Sequence, residues 1–323
     1  MIMKCDYAPI LITTLCRFEH FKRCIDSLSR NASADKTNIY IALDYPFDDS
    51  HWDGYKKILE YLTNEFDSSL FASMKIIKRK RNVGSFCNAI MGREELFEQY
   101  DKYIFTEDDN EFSENFIEYT NKCLDKYKED QKIVAVCGFS PFMEKPNNFE
   151  NNYFLSYRYD AWGVGIWRDK RIVSTVTGEK IRQFIKKSEN LNKLKKYCIP
   201  KTFFYSTVIW KVIRDGDISH DQGMFISNII NDTFSIYPTD SKSKNHGLDG
   251  SGMGKKSNIN YKSKNRNLGK IIDDTDSFEF IGNEITDKDI NYYYLNNQRI
   301  DIKVVIKYIV IQIYFLIHYR RFI

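Results

Sequence analysis

Between residues 8 and 138 the chain alternates short, apolar, β-branched runs with stretches whose apolar residues recur at helical spacing. Residues 8–15 are apolar nearly throughout, as a strand buried on both faces should be. Residues 18–28 follow, with Phe21, Cys24, Ile25 and Leu28 spaced for one face of a helix. The same reading gives strands at 38–43, 74–78, 102–106 and 133–138, with helices at 51–65, 86–100 and 114–128. Such alternation predicts an α/β fold, an open and mostly parallel sheet with helices on both faces. Ligands of sheets like this bind at the carboxyl ends of the strands.

Three of those ends carry polar groups: Arg17 and Glu19 after the first strand, Asp44 after the second, and Glu107-Asp108-Asp109 after the fourth. Beyond residue 138 the alternation weakens. A loop is expected at 141–152, an aromatic and glycine-rich stretch at 153–167, and helices at 181–197, 203–214 and 221–231, then a strand at 234–237. Residues 240–264, rich in Gly, Ser, Lys and Asn, read either as a flexible loop or as one that closes over a ligand.

Composition narrows the class. A hydrophobic share of 42% and a charged share of 28% are those of an ordinary globular chain. The net charge of +4 falls well short of the basic stripe that nucleic-acid binding requires, so no nucleic-acid partner is expected. The seven cysteines lack metal-type or CxxC spacing and read as reduced thiols in a cytoplasmic protein. Residues 8–15 read as a strand and not as a signal peptide.

Carboxylates on a tight turn after a buried strand suit a hard cation such as Mn²⁺ or Mg²⁺, with positions left open for phosphate oxygens. Around this run, Tyr103-Ile-Phe-Thr-Glu-Asp-Asp-Asn-Glu-Phe-Ser-Glu-Asn-Phe-Ile-Glu-Tyr119 resembles the metal-binding segment of GT-A (Rossmann-like) glycosyltransferases. The likeness is to bacterial family 2-like enzymes and to the EDD-motif N-acetylglucosaminyltransferase I family. It extends to Thr13-Thr-Leu-Cys-Arg17, Ile41-Ala-Leu-Asp44, Arg81-Asn-Val-Gly84, Asp160-Ala-Trp-Gly-Val-Gly-Ile-Trp167, His220-Asp-Gln222 and the glycine-rich stretch from His246 to Gly254.

The resemblance implies a glycosyltransferase domain over residues 1–265, with a nucleotide-binding half at 1–140 and an acceptor half at 141–265. A C-terminal extension would occupy 266–323. It implies Asp109 as the metal ligand, Asp108 on the ribose and Glu107 on the donor sugar. Asp44 would meet the base, and Thr13, Arg17, Arg81 and Asn82 would border the nucleotide. Trp162 and Gly163 would floor the sugar site, and His246 would sit in a loop over the diphosphate. Asp221 would be the general base of an inverting transfer from a nucleotide sugar, UDP-linked by expectation, to a glycan or lipid-linked glycan acceptor.

Two other readings remain. A sugar-phosphate nucleotidyltransferase should carry a Gly-rich, Lys/Arg-containing loop after the first strand, where this chain has no glycine. A non-catalytic carbohydrate-binding relative would keep the pocket and lose turnover. Residues 300–323 are apolar and end in cations, which suits either a helix lying in the inner face of the cytoplasmic membrane or one packed on the protein.

Overall fold

The computed structural model describes residues 6–140, 149–170, 220–249, 251–252, 277–283 and 302–320, with isolated positions elsewhere. The expected helices at 181–197 and 203–214 lie outside the described residues, as do most of 253–274 and the last three positions.

The alternation read from the sequence is present. β1 (Ile10–Thr14), α1 (Phe18–Ser29), β2 (Asn38–Leu43), α2 (Trp52–Glu60), β3 (Ser73–Lys78), α3 (Ser85–Phe97), β4 (Lys102–Glu107), β5 (Asn110–Phe112), α4 (Phe116–Lys126) and β6 (Ile133–Cys137) follow in order. The helix expected at 51–65 is shorter, because the chain passes at Tyr61–Glu65 into a wider π-helical turn. The aromatic stretch resolves into two strands, β7 (Tyr153–Ser156) and β8 (Val164–Trp167). Then come α5 (His220–Asn231), β9 (Phe234–Pro238), β10 (Ser243–Asn245) and the terminal helix α6 (Ile302–Tyr319).

Eight strands form one sheet in the order β3-β2-β1-β4-β8-β6-β9-β7, and β10 pairs with β5 in a separate small sheet. The first four strands are parallel throughout, and β6 is parallel to β9. Only β8 and β7 run against their neighbours. β8 is inserted between β4 and β6, so a later strand pairs directly with the one that carries the acidic run.

β1 shows why the sheet needs two layers of helices. Ile10 and Ile12 are fully buried in a core shared with Phe21, Ile25 and Leu28 of α1 and with Phe116 and Ile117 of α4. Leu11, between them, points to the opposite face and packs with Leu96 and Phe97 of α3. Side chains alternate across a strand, so an unbroken apolar strand requires cover on both sides. Each such buried Ile, Leu or Phe stabilises the fold by about 1.5–3 kcal/mol.

Described residues near the C-terminus pack on this same core. Phe278 is buried and packs edge-on against Tyr119 at 4.9 Å between ring centroids. Lys122 Nζ donates to the Phe278 carbonyl at 2.6 Å. Ile311 and Phe315 of α6 belong to the same apolar cluster as β1. No helix among the described residues is long and apolar enough to cross a membrane.

Candidate active site

β4 leaves the large sheet at Glu107, and the chain turns through Asp108 and Asp109 into β5. The turn is pinned from both sides: Asp108 N–H donates to the Thr13 carbonyl at 3.1 Å, and His246 N–H donates to the Asp109 carbonyl at 2.8 Å. The acids therefore sit where the end of β1, the end of β4 and the β10 region meet, which is the ligand edge of the parallel half.

Every oxygen of the two aspartates has a protein partner. Asp108 is buried, accepts from Thr14 Oγ1 at 2.7 Å and pairs through its other oxygen with Arg17 Nη2. Asp109 Oδ2 pairs with Arg17 Nη1 at 2.9 Å, and Oδ1 accepts from Asn245 Nδ2 at 3.0 Å. Arg17 stands at the N-cap of α1 and makes no capping bond, so its guanidinium is free to bridge the carboxylates. Burial raises the Asp108 carboxyl above the usual aspartate range, and Arg17 opposes that rise. Glu107, half-buried, is pushed up to about 8 by burial and by Asp109, Asp108 and Asp221.

A cavity of about 440 Å³ opens beside Glu107. Phe86, Ile90 and Arg93 of α3 line one wall, Trp162 and Tyr159 another, and His220 with Asp221 at the start of α5 a third. Asp221 is held toward Ala161, whose N–H lies 3.4 Å from Asp221 Oδ2. Trp162 leans edge-on against Phe139 at 4.5 Å. Gly163 has φ +80°, a left-handed conformation, and a Cβ there would come within 2.6 Å of the Phe112 ring. Only glycine satisfies both constraints. The volume is that of a small-molecule site, and its mixture of aromatic walls and two carboxylates suits a sugar ring.

The remaining expected residues sit nearby in more structural company. Thr13 is buried in β1 opposite Glu107. The Asp44 carboxylate accepts backbone N–H groups from Tyr45 at 2.9 Å, Val83 at 3.0 Å and Gly84 at 2.9 Å. It thereby builds the turn that starts α3, and any base contact falls to its remaining lone pair. Asn82 Nδ2 donates to the Tyr45 carbonyl at 2.6 Å, and Arg81 is exposed. The His246 ring is engaged by Glu111 at 2.7 Å on the far side of the β5–β10 ladder.

The sequence reading did not single out Thr14, Asn245, Phe86 or Arg93. Thr14 and Asn245 join Asp108 and Asp109 across 94 and 136 residues, separations that local pattern does not reveal. Two described glycines of the glycine-rich stretch lie against the acids and Arg17. A Cβ on Gly247 would lie 2.1 Å from Asp109 Oδ2, and one on Gly252 3.4 Å from Arg17 Nη1. His20 ties the stretch to α1 through Asp249 at 2.9 Å.

Among the described residues no three His, Cys, Asp or Glu side chains gather as a closed metal cage. The donor set is nonetheless one for a hard cation: two adjacent carboxylates with a positive group already lodged between them, the Arg17 guanidinium. Asp109, the expected metal ligand, could hold Mn²⁺ or Mg²⁺ only by giving up a partner, since Arg17 and Asn245 engage its two oxygens, and the other coordination positions would have to come from ligand oxygens and water.

No protein-family model and no curated protein matches the chain. Among solved structures it resembles the mannosyltransferase PcManGT from Pyrobaculum calidifontis, in complex with GDP-Man and Mn²⁺. That match has 11% identity and a TM-score of 0.35, over 52% of this chain and 47% of that one. The chain also resembles S. aureus TarS 1-349 at 12% identity and a TM-score of 0.36, over 72% of this chain and 71% of that one. The same TarS fragment in complex with UDP-GlcNAc matches at 10% identity and a TM-score of 0.34, over 59% and 51%. The chain thus spans about half the length of the mannosyltransferase it resembles. Likeness this distant carries no activity across, and the functional reading rests on the site.

Proposed function

We propose that the protein is a nucleotide-sugar glycosyltransferase that acts by metal-assisted, inverting transfer to a glycan hydroxyl. The observation that carries this reading is the convergence of two things at the end of β4. The Asp108–Asp109 pair with its Arg17 counter-cation adjoins, through Glu107, a sugar-sized cavity that Asp221 also lines.

The chemistry follows from that division. The donor's diphosphate belongs over Asp109 and Arg17, and its sugar belongs in the cavity against Glu107 and Trp162. Glu107, whose carboxyl is raised by burial and by its acidic neighbours, hydrogen-bonds a sugar hydroxyl. Asp221 takes the proton from the acceptor hydroxyl as that oxygen attacks the anomeric carbon from the side opposite the diphosphate. A divalent cation bound at Asp109 would neutralise the charge developing on the leaving diphosphate. The glycine stretch over Asp109 keeps water from the pair. UDP as nucleotide, and a lipid-linked or surface-polysaccharide acceptor met at the cytoplasmic membrane, complete the proposal.

The test is a thermal-shift panel of nucleotide sugars with and without Mn²⁺, on the wild type and on Asp109→Ala. A Mn²⁺-dependent shift with one donor, lost in Asp109→Ala, is expected. A panel in which no donor shifts the wild type would remove the reading in favour of a non-catalytic carbohydrate binder.

A further inference from the structure

The most unusual contact at the site is between groups of the protein itself. Arg17 places Nη1 on Asp109 and Nη2 on Asp108, so one guanidinium occupies the space between two adjacent buried carboxylates. Two such acids cannot both ionise without a cation beside them. Among the described residues Arg17 is the one cation that pairs with either. The pairing in turn raises the guanidinium's own pKa despite its burial.

A planar fork that fits two carboxylates also fits a diphosphate. The geometry therefore offers Arg17 two partners, and only one can be served at a time. With Arg17 on Asp109, Oδ2 is taken and Oδ1 is committed to Asn245. A cation arriving alone must displace a salt bridge and then finds at most the two aspartates, because no three His, Cys, Asp or Glu side chains gather there among the described residues. A cation arriving with a diphosphate meets neither obstacle, because the phosphate oxygens complete its coordination and give Arg17 another anion.

We propose that Arg17 is an exchangeable counter-cation. It occupies the metal position in the donor-free protein and moves from Asp109 to the donor's diphosphate on binding, so that metal and donor bind as a unit. The proposal rests on the glycosyltransferase reading for its donor. Its first consequence, that Arg17 blocks the bare cation site, does not.

The experiment is Mn²⁺ titration followed by the electron paramagnetic resonance signal of free Mn²⁺, with and without a nucleoside diphosphate. It is run on the wild type, Arg17→Gln and Arg17→Lys. Without nucleotide, the wild type is expected to bind Mn²⁺ weakly and Arg17→Gln at least about 10-fold more tightly. Arg17→Lys, a point charge that cannot fork across both acids, should fall between them. Adding nucleoside diphosphate should raise wild-type Mn²⁺ affinity by 100-fold or more, and that gain should shrink in Arg17→Gln. The wild-type coupling stands as a test even if Arg17→Gln does not fold. Tight Mn²⁺ binding by the donor-free wild type, or equal affinities in wild type and Arg17→Gln, would overturn the proposal. If no nucleotide binds any variant, the glycosyltransferase reading fails, and the nucleotide-free arm still decides whether Arg17 blocks the cation.

Discussion

Asp221 and Glu107 are carboxylates on the same cavity, and their surroundings separate their tasks. Glu107 is wedged beside two other acids and holds its proton to about 8. Asp221 lies in the first turn of a helix, is about one-third exposed at its side chain, and makes long contacts to Ala161 N–H at 3.4 Å and to the neighbouring His220 Nδ1 at 3.7 Å. A base needs access to an incoming hydroxyl, and Asp221, the proposed base, is exposed enough to offer it. Asp221→Asn keeps the shape and the contact to Ala161, which needs only an acceptor oxygen, and removes the proton acceptor. Single-turnover rates should fall by about 10²–10⁴-fold while donor affinity, which the proposal assigns to Arg17 and Asp109, stays within about 2-fold. A rate loss under about 10-fold would move the base elsewhere.

At the scale of elements, what was legible in the sequence was whatever local periodicity controls. The parallel half followed from strand and helix periods, and the acidic run was recognisable because the apolar stretch Tyr103-Ile-Phe105 leads up to it. β7 and β8 escaped that reading for a physical reason. Both are buried on both faces, so neither alternates, and β8 carries glycine where a side chain would meet α4. Nor could periodicity show that β8 runs antiparallel between β4 and β6, which is what brings Trp162 and Ile166 to the cavity. β10 was hidden in a loop-like composition, yet its pairing with β5 delivers Asn245 to Asp109 and sets His246 against Glu111. The polar partners of the site come from such long-range pairings. The acids themselves come from one strand end, and so the sequence could name Asp109 and not Asn245.

Two properties belong to the molecule as a whole. The first is its response to alkali. Burial pushes the Cys137 thiol up to about 12 and raises the Tyr119, Tyr159 and Tyr237 phenols well above their ordinary value. In the unfolded chain a thiol titrates at about 8.5 and a phenol at about 10. Above about pH 9 the native state therefore holds more protons than the unfolded one, and stability falls as pH rises toward 12. Thermal midpoints measured from pH 7 to 11 should be flat and then fall steeply, with tyrosinate absorbance appearing together with unfolding. Full tyrosine titration near pH 10 with the fold intact would contradict this.

The second property is the outer face of α6. This helix buries Ile311 and Phe315 against the common core and leaves Ile306, Ile309, Val310, Ile313 and Ile317 exposed, the last at 68%. Those positions recur at three- and four-residue intervals, so they form one apolar stripe along a helix of about 27 Å. An exposed stripe of this kind marks a contact surface, and exposed Arg320 follows it at the helix end. An apolar stripe closed by a cation matches the acyl–headgroup boundary of an anionic bilayer. It would hold the cavity near a lipid-linked acceptor. The protein should co-sediment with vesicles containing anionic lipid and much less with neutral ones. The double change Ile309→Glu and Ile313→Glu should lower the bound fraction at least about 10-fold, since burying each isoleucine is worth about 1.5–3 kcal/mol. Transfer to a water-soluble acceptor should be unchanged, because the stripe faces away from the core that supports the site. If the same double change instead dissolves a concentration-dependent dimer and leaves vesicle binding as it was, the stripe is an interface between two copies and not a membrane surface.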